Sequence, residues 1–164
     1  MITLTDAQKA LIENSSPADK VGRTGQRLQD LETAMNLAQP FHKTATITSA
    51  AAATAVSLLA DSEVPSGKKA YVTGFIARVN GATNWATTAT VKIQDTNSSA
   101  VDFATMAVAA LTGNTTVYPH TSNITVEDAW RLGTGGTSDK GLQLKGDANG
   151  TGSNLVVTVF GFFK

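Results

Sequence analysis

The hydrophobic pattern of the chain changes period near residue 40. Upstream, apolar or small residues recur at alternating steps of three and four, the spacing of the a and d positions of a coiled coil. Downstream, apolar and polar residues alternate with period two, as in strands with one buried face. The pattern predicts an N-terminal α-helical segment over residues 1–40 and a β-domain over residues 41–164. The helical positions are Val21, Thr24, Leu28, Leu31, Met35 and Ala38.

The helix predicted from Val21 to Ala38 needs a packing partner. It would be about 27 Å long, and Gly22 and Gly25 each destabilise it by about 1 kcal/mol relative to alanine. An isolated helix of this length is marginal in water. Two partners remain open, because the pattern spans only about two and a half heptads. The helix either meets other copies through a coiled-coil seam or folds back on its own sheet. The seam residues would be Val21, Leu28, Leu31 and Met35.

Residues after Pro40 predict a run of short strands with no helix between them. Clusters of Gly, Asn, Asp, Ser and Pro separate the strands, although Ala50 to Ala60 is ambiguous between helix and strand. The fold class is therefore all-β, an antiparallel β-sandwich of the jelly-roll type. The predicted strands are 42–49, 54–60, 68–80, 87–96, 101–108, 115–118, 124–126, 141–145 and 154–163.

Two of these strands are apolar on both faces. In the last strand, LVVTVFGFF, one face can pack inside the sandwich, which leaves Val156, Phe160 and Phe162 without cover. The strand YVTGFI, which begins at Tyr71, has the same character. Another subunit would cover both, so we expect Phe160 and Phe162 to lie in an oligomer interface.

Charge and composition exclude several classes of protein. The 13 acidic and 13 basic residues balance, whereas nucleic acids and anionic membranes favour a basic excess. The chain has no cysteine, which excludes disulfides and thiolate metal sites. Apolar runs are far shorter than the roughly 20 residues of a membrane span. The N-terminus MITLTDAQKALIEN lacks a basic start and a long apolar centre, so we expect a soluble protein without an export signal.

No residue pattern predicts catalysis, a cofactor or a metal. The two histidines, His42 and His120, stand outside any motif, and we expect them at the surface. Glu127, Asp128, Asp95 and Asp102 have no informative spacing, and we expect solvated loop charges. The glycine-rich stretch 132–137 lacks a P-loop lysine. The stretch 147–152 opens like a calcium loop but has Thr158 at position 12, so we expect a plain hairpin turn.

Aromatic loop residues allow a second function, a receptor- or carbohydrate-binding fibre tip. Trp85 follows a turn and Trp130 precedes a glycine loop, and exposed rings there, or that of Tyr118, could stack on sugars. Tryptophans in a β-domain more often fill its ends or an interface.

Three stretches of the chain resemble bacteriophage virion proteins of the head-decoration or head-fibre type. They begin with HKTATITSAAAATAVSLLADSEVPSGKKAYVTGFIARVNGATNWATTATVKIQDT, continue with LTGNTTVYP and close with GLQLKGDANGTGSNLVVTVFGFFK. The most distinctive piece is VPSGKK, from Val64 to Lys69, leading into the Tyr71 strand.

The resemblance implies a non-enzymatic homotrimer of jelly-roll domains at the virion surface, made in the host cytoplasm. Its partner would be the major capsid protein or another virion protein. It also implies that the N-terminal segment anchors or assembles the trimer. Candidates for a capsid-facing arm are Ile2, Leu4, Leu11 and Ile12.

Overall fold

The computed structural model describes residues 39–86, 90–127 and 135–164. These residues form nine strands in two antiparallel sheets, with only three single-turn 3-10 helices between them. Within this part of the chain no helix is long and apolar enough to cross a membrane. The strands are β1 (Gln39–Ile47), β2 (Val56–Leu59), β3 (Ala70–Asn80), β4 (Thr90–Asp95), β5 (Asp102–Ala107), β6 (Thr116–Val117), β7 (Ile124–Val126), β8 (Leu142–Gly146) and β9 (Asn154–Phe163).

The strands are divided between a four-stranded and a five-stranded sheet. The four-stranded sheet has the order β1-β9-β3-β6, and the five-stranded sheet has the order β2-β8-β4-β5-β7. Most consecutive strands lie in different sheets, so the connecting loops cross between layers. The longest pairing joins β3 and β9, in register from Ala70 with Phe163 to Asn80 with Asn154.

One hydrophobic core joins the two sheets. It consists mainly of the inward-facing residues of the strands, such as Leu155, Val157 and Val159 of β9, which are all fully buried. The five-stranded sheet contributes Ile93 and Phe103 to the same cluster, also fully buried. Sharing one core makes the two sheets layers of one β-sandwich.

The alternation of the sequence locates all nine strands within about three residues at each end. The ambiguous alanine-rich stretch divides into a 3-10 turn at Ser49–Ala51 and the strand β2. Pro40 does not precede the domain as predicted but lies inside β1, because this strand begins at Gln39. A proline is tolerated there since β1 is at the sheet edge.

Candidate interaction surface

The outer face of the four-stranded sheet carries large apolar side chains. The register sets Tyr71 beside Phe162, Gly74 beside Phe160 and Arg78 beside Val156. The rings of Tyr71 and Phe162 stack with centroids 5.2 Å apart and planes 3° apart. We call Tyr71, Ile76, Val156, Phe160 and Phe162 the apolar face.

Two residues of the apolar face protrude more than the others. Phe160 is 39% exposed and Ile76 is 38% exposed. Phe160 belongs to β9 and Ile76 to β3, and the inward residues of both strands are buried. A β-bulge at Thr73 restores this alternation after Val72, so that Phe75, Ala77 and Val79 still point into the core.

The strand β1 extends this face on the other side of β9. The hydroxyls of Thr44 and Thr158 are 2.8 Å apart, which sets these residues opposite each other. The same register sets Phe41 opposite Gly161, and the Phe41 ring lies against the place where a Gly161 side chain would be. His42 is therefore opposite Phe160, and Pro40 is opposite Phe162.

A shallow depression lies at the junction of β1, β9 and β3. It is open to solvent, and a contact that covers Phe160 would also cover it. We call it the β1 depression. Its lining is Pro40, Phe41, His42, Thr73, Phe160 and Gly161.

The outer face of the five-stranded sheet is polar by contrast. Lys92 binds Asp102 at 2.7 Å across β4 and β5, and this hydrogen bond raises the pKa of Lys92. The Thr90 hydroxyl donates to Asp147 at 2.7 Å, and this bond lowers the pKa of Asp147. Charged and hydroxyl groups therefore satisfy one another on this side of the sandwich, where water is the natural neighbour.

The strand β1 forms the longest edge of the two described sheets. Lys69 and Lys164 exchange two backbone hydrogen bonds, of 2.9 and 3.1 Å. In β9 the backbone N–H and C=O groups of even-numbered residues, including Thr158, therefore point toward β3. Thr44 lies opposite Thr158, so its own backbone N–H and C=O groups point away from β9, toward the outer edge. No described strand pairs with this edge, although natural proteins usually shorten or charge such edges. The edges at β2, β6 and β7 are only two to four residues long.

Comparisons with known proteins add one finding. No family model matches the chain, and no curated protein matches it. Among solved structures, a chain of the cyanophage Pam1 capsid asymmetric unit is similar to it, with 16% sequence identity and a TM-score of 0.40. The similarity covers 76% of this chain and 85% of that one.

Several predicted site residues lie outside the described residues. They are the coiled-coil seam Val21, Leu28, Leu31 and Met35, the arm Ile2, Leu4, Leu11 and Ile12, and also Asp128 and Trp130. Phe160 and Phe162 are described and share the apolar face, and their role in an interface stays a prediction.

The histidines and carboxylates considered in the sequence analysis form no cluster of three or more in the described part of the chain. His42 lies on β1 and His120 in the loop between β6 and β7, both exposed. No group of three or more metal-ligating side chains occurs among the described residues. Asp102 pairs with Lys92, and Glu127 accepts a hydrogen bond from Thr105.

Asp95 corrects the prediction of a solvated loop charge. It is fully buried and accepts four hydrogen bonds: from the backbone N–H of Asn97 at 3.2 Å, of Val101 at 2.9 Å and of Thr137 at 2.8 Å, and from the Thr137 hydroxyl at 2.7 Å. The carboxylate therefore ties the loop after β4 to the loop before β8. Sequence reasoning missed it because Thr137 is 42 residues away along the chain.

The calcium-like stretch is a structural connection between the sheets. Asp147 accepts from Thr90, and the Asn149 side-chain oxygen accepts from the backbone N–H of Ala53 at 2.8 Å. The predicted hairpin is wrong, because β8 and β9 lie in different sheets.

Of the described aromatic residues in the loops, one is buried and one is exposed. Trp85 is 2% exposed and belongs to the core, whereas Tyr118 is 50% exposed. Only Tyr118, among the described loop aromatics of the fibre-tip hypothesis, presents its ring to solvent.

Proposed function

We propose that the chain is a non-enzymatic structural protein of a bacteriophage virion, and that it decorates the capsid surface as a homotrimer. The observation that carries the proposal is the difference between the two outer faces of the sandwich. One is polar and internally satisfied, and the other exposes aromatic and aliphatic side chains such as Phe160 and Ile76. An apolar patch of this kind marks an interaction site.

The strand order supports a jelly roll as the finer description of the fold. Strands β1, β3, β6 and β9 form one sheet, and β2, β4, β5 and β8 form the other with β7 added at its edge. This division is the one expected of eight strands wound as two Greek keys. It agrees with the sequence resemblance to decoration and head-fibre proteins, from which the virion setting of the proposal comes.

Contacts between copies would use the apolar face and the coiled-coil seam together. Burying Phe160 removes the exposed 39% of this residue from water. The hydrophobic free energy gained is on the order of 2 kcal/mol for each copy. Binding of one subunit to the capsid would be modest, and a trimer would multiply it by engaging a repeated capsid lattice at three points.

The experiment is rebinding to phage heads. Heads of the phage that encodes the chain are stripped of it, and added protein is cosedimented with them. Saturable binding at a fixed ratio to the major capsid protein supports the proposal. An absence of binding by the wild-type oligomer contradicts the decoration role.

The fibre-tip alternative rests on the exposed Tyr118 ring. The loop is held in a tight turn, where the Thr121 backbone N–H donates to the Tyr118 carbonyl at 2.9 Å and the Thr121 hydroxyl accepts from the Tyr118 N–H at 2.9 Å. A glycan array that gives a signal lost on Tyr118→Ala would favour this role over capsid decoration.

A further inference from the structure

We propose that one end of the four-stranded sheet binds an acidic segment of the capsid protein. The site consists of Lys69, Tyr71, Phe162 and Lys164, which we call the lysine corner. It offers two ammonium groups to carboxylates of the partner, beside two rings of the apolar face. This inference rests on the proposed function, because it takes the capsid protein as the partner.

The two lysines of the corner lie directly opposite each other. Lys69 and Lys164 exchange two backbone hydrogen bonds, which continues the ladder of β3 and β9 by one pair. The next pair, Ala70 with Phe163, is buried, so the lysine side chains project from the outer face. Opposite side chains have Cβ atoms about 5 Å apart, and like charges placed there destabilise a sheet. An anion bound between the two ammonium groups would replace this repulsion with attraction.

The two rings lie on the same face, two residues further along each strand. Tyr71 is opposite Phe162, and their rings stack with planes 3° apart. The glycine-rich stretch borders Tyr71 on the side of β3 away from β9. A Cβ at Gly135 would lie 2.8 Å from the Tyr71 ring, and Gly136 donates its N–H to the Ala70 carbonyl at 2.8 Å. The Tyr71 ring is therefore fixed from both sides, and the corner is already formed in the single chain.

The fixed charges of this outer face have one sign. Every permanently charged side chain at a described outer position of the four-stranded sheet is basic, and these residues are Lys69, Arg78 and Lys164. Covering the lysine corner with an uncharged surface would desolvate two cations without opposite charge, which is costly. A partner that covers it must therefore bring carboxylates of its own.

The five-stranded sheet carries a comparable lysine pair that has its own carboxylates. Lys92 of β4 is opposite Lys145 of β8, also on an outer face. Asp102 binds Lys92 at 2.7 Å, and both lysines attract Asp147 electrostatically. That sheet thus neutralises its lysine pair with side chains of its own face, whereas the outer face around the lysine corner supplies cations alone.

The overall charge favours a protein partner over a nucleic acid. The 13 acidic and 13 basic residues of the chain balance, whereas affinity for nucleic acid comes from many phosphate contacts. Two lysines at one corner instead suit a short acidic segment of a protein.

The experiment is rebinding of the full chain to stripped phage heads, with two single variants. Lys69→Gln and Lys145→Gln each remove one lysine of a cross-strand pair, and only the first lies in the lysine corner. We expect Lys145→Gln to rebind like wild type. In Lys69→Gln the dissociation constant should rise by about tenfold or more, because a charge-assisted hydrogen bond is lost. Light scattering should give both variants the mass of the wild type.

Two further measurements separate docking from other roles of the lysine pair. Lys69→Gln should melt no lower than wild type, because it relieves the repulsion with Lys164. Poly-L-glutamate added to the rebinding assay should displace the wild type, and single-stranded DNA of equal charge should displace it less.

Five results would overturn the inference. Equal rebinding of wild type and Lys69→Gln removes the lysine corner as a docking site and leaves the proposed function standing. A changed mass of Lys69→Gln would assign the corner to contacts between copies. A lower melting temperature of Lys69→Gln would mean that a carboxylate of the chain itself pairs with this lysine. Stronger displacement by DNA would assign the corner to nucleic acid. Failure of the wild type to rebind contradicts the proposed function and this inference together.

Discussion

The buried carboxylate of Asp95 makes a sharp test of how the loops of this sandwich are held. Asp95→Asn keeps the shape of the side chain but leaves one acceptor oxygen and turns an NH2 group toward donors that now have no acceptor. Two of the four hydrogen bonds are lost, and each bond to a buried charged group contributes about 1.5–3 kcal/mol. We therefore expect the free energy of unfolding to fall by about 3–6 kcal/mol, a large part of the 5–15 kcal/mol typical of a domain.

Urea denaturation measures this loss. With a slope of about 2 kcal/mol per molar, the midpoint should fall by roughly 1.5–3 M. The control is Asp102→Asn, which removes a carboxylate from the partly exposed ion pair with Lys92 and should cost at most about 1 kcal/mol. Equal midpoints for the two variants would refute the claim that Asp95 holds the loops together.

Three further predictions follow from packing, titration and the sequence pattern. Gly161→Ala should destabilise the fold by about 1–3 kcal/mol, because its Cβ would meet the Tyr71 carbonyl, whereas Gly74→Ala meets nothing closer than 3.6 Å and should be tolerated; thermal melts compare the two. Hydrogen bonds from Thr96, then Gly141 and Lys140, lower the pKa of Asp61 from 3.8 to about 2. The contribution of Asp61 to stability should thus be complete above about pH 4 and vanish as the pH falls through 2. In Asp61→Asn the urea midpoint should therefore depend less on pH over that range. Leu28→Asp should weaken the oligomer if the helical seam exists, and an unchanged mass in light scattering would argue against the seam.

The division of the chain into strands was predictable because local alternation determines which side chains can be buried. The last strand shows this best. Leu155, Val157 and Val159 are buried, while Phe160 and Phe162 lie on the opposite face, as the two-faced pattern of the sequence required. Over residues 39–86, 90–127 and 135–164, all-β architecture in two antiparallel sheets is confirmed.

Features that depend on long-range pairing could not be read from the sequence. The burial of Asp95 depends on Thr137, and the place of His42 beside Phe160 depends on the pairing of β1 with β9 across most of the domain. The sequence pattern placed Pro40 before the β-domain, but Pro40 lies in β1. The strand tolerates it because the missing N–H would face the outer edge of the sheet. Local sequence patterns locate the strands, whereas the surroundings of a side chain depend on which strands and loops pair in the fold.

The solution mass of the full chain tests the central claim most directly. Light scattering coupled to gel filtration at pH 7.5 would compare wild type with Phe160→Asp, and with Thr125→Asp as the control. The control adds the same charge to an exposed strand position of the polar face. We predict a wild-type trimer that Thr125→Asp preserves and Phe160→Asp dissociates or weakens. A wild-type monomer, or an oligomer that Phe160→Asp leaves unchanged, would contradict the account.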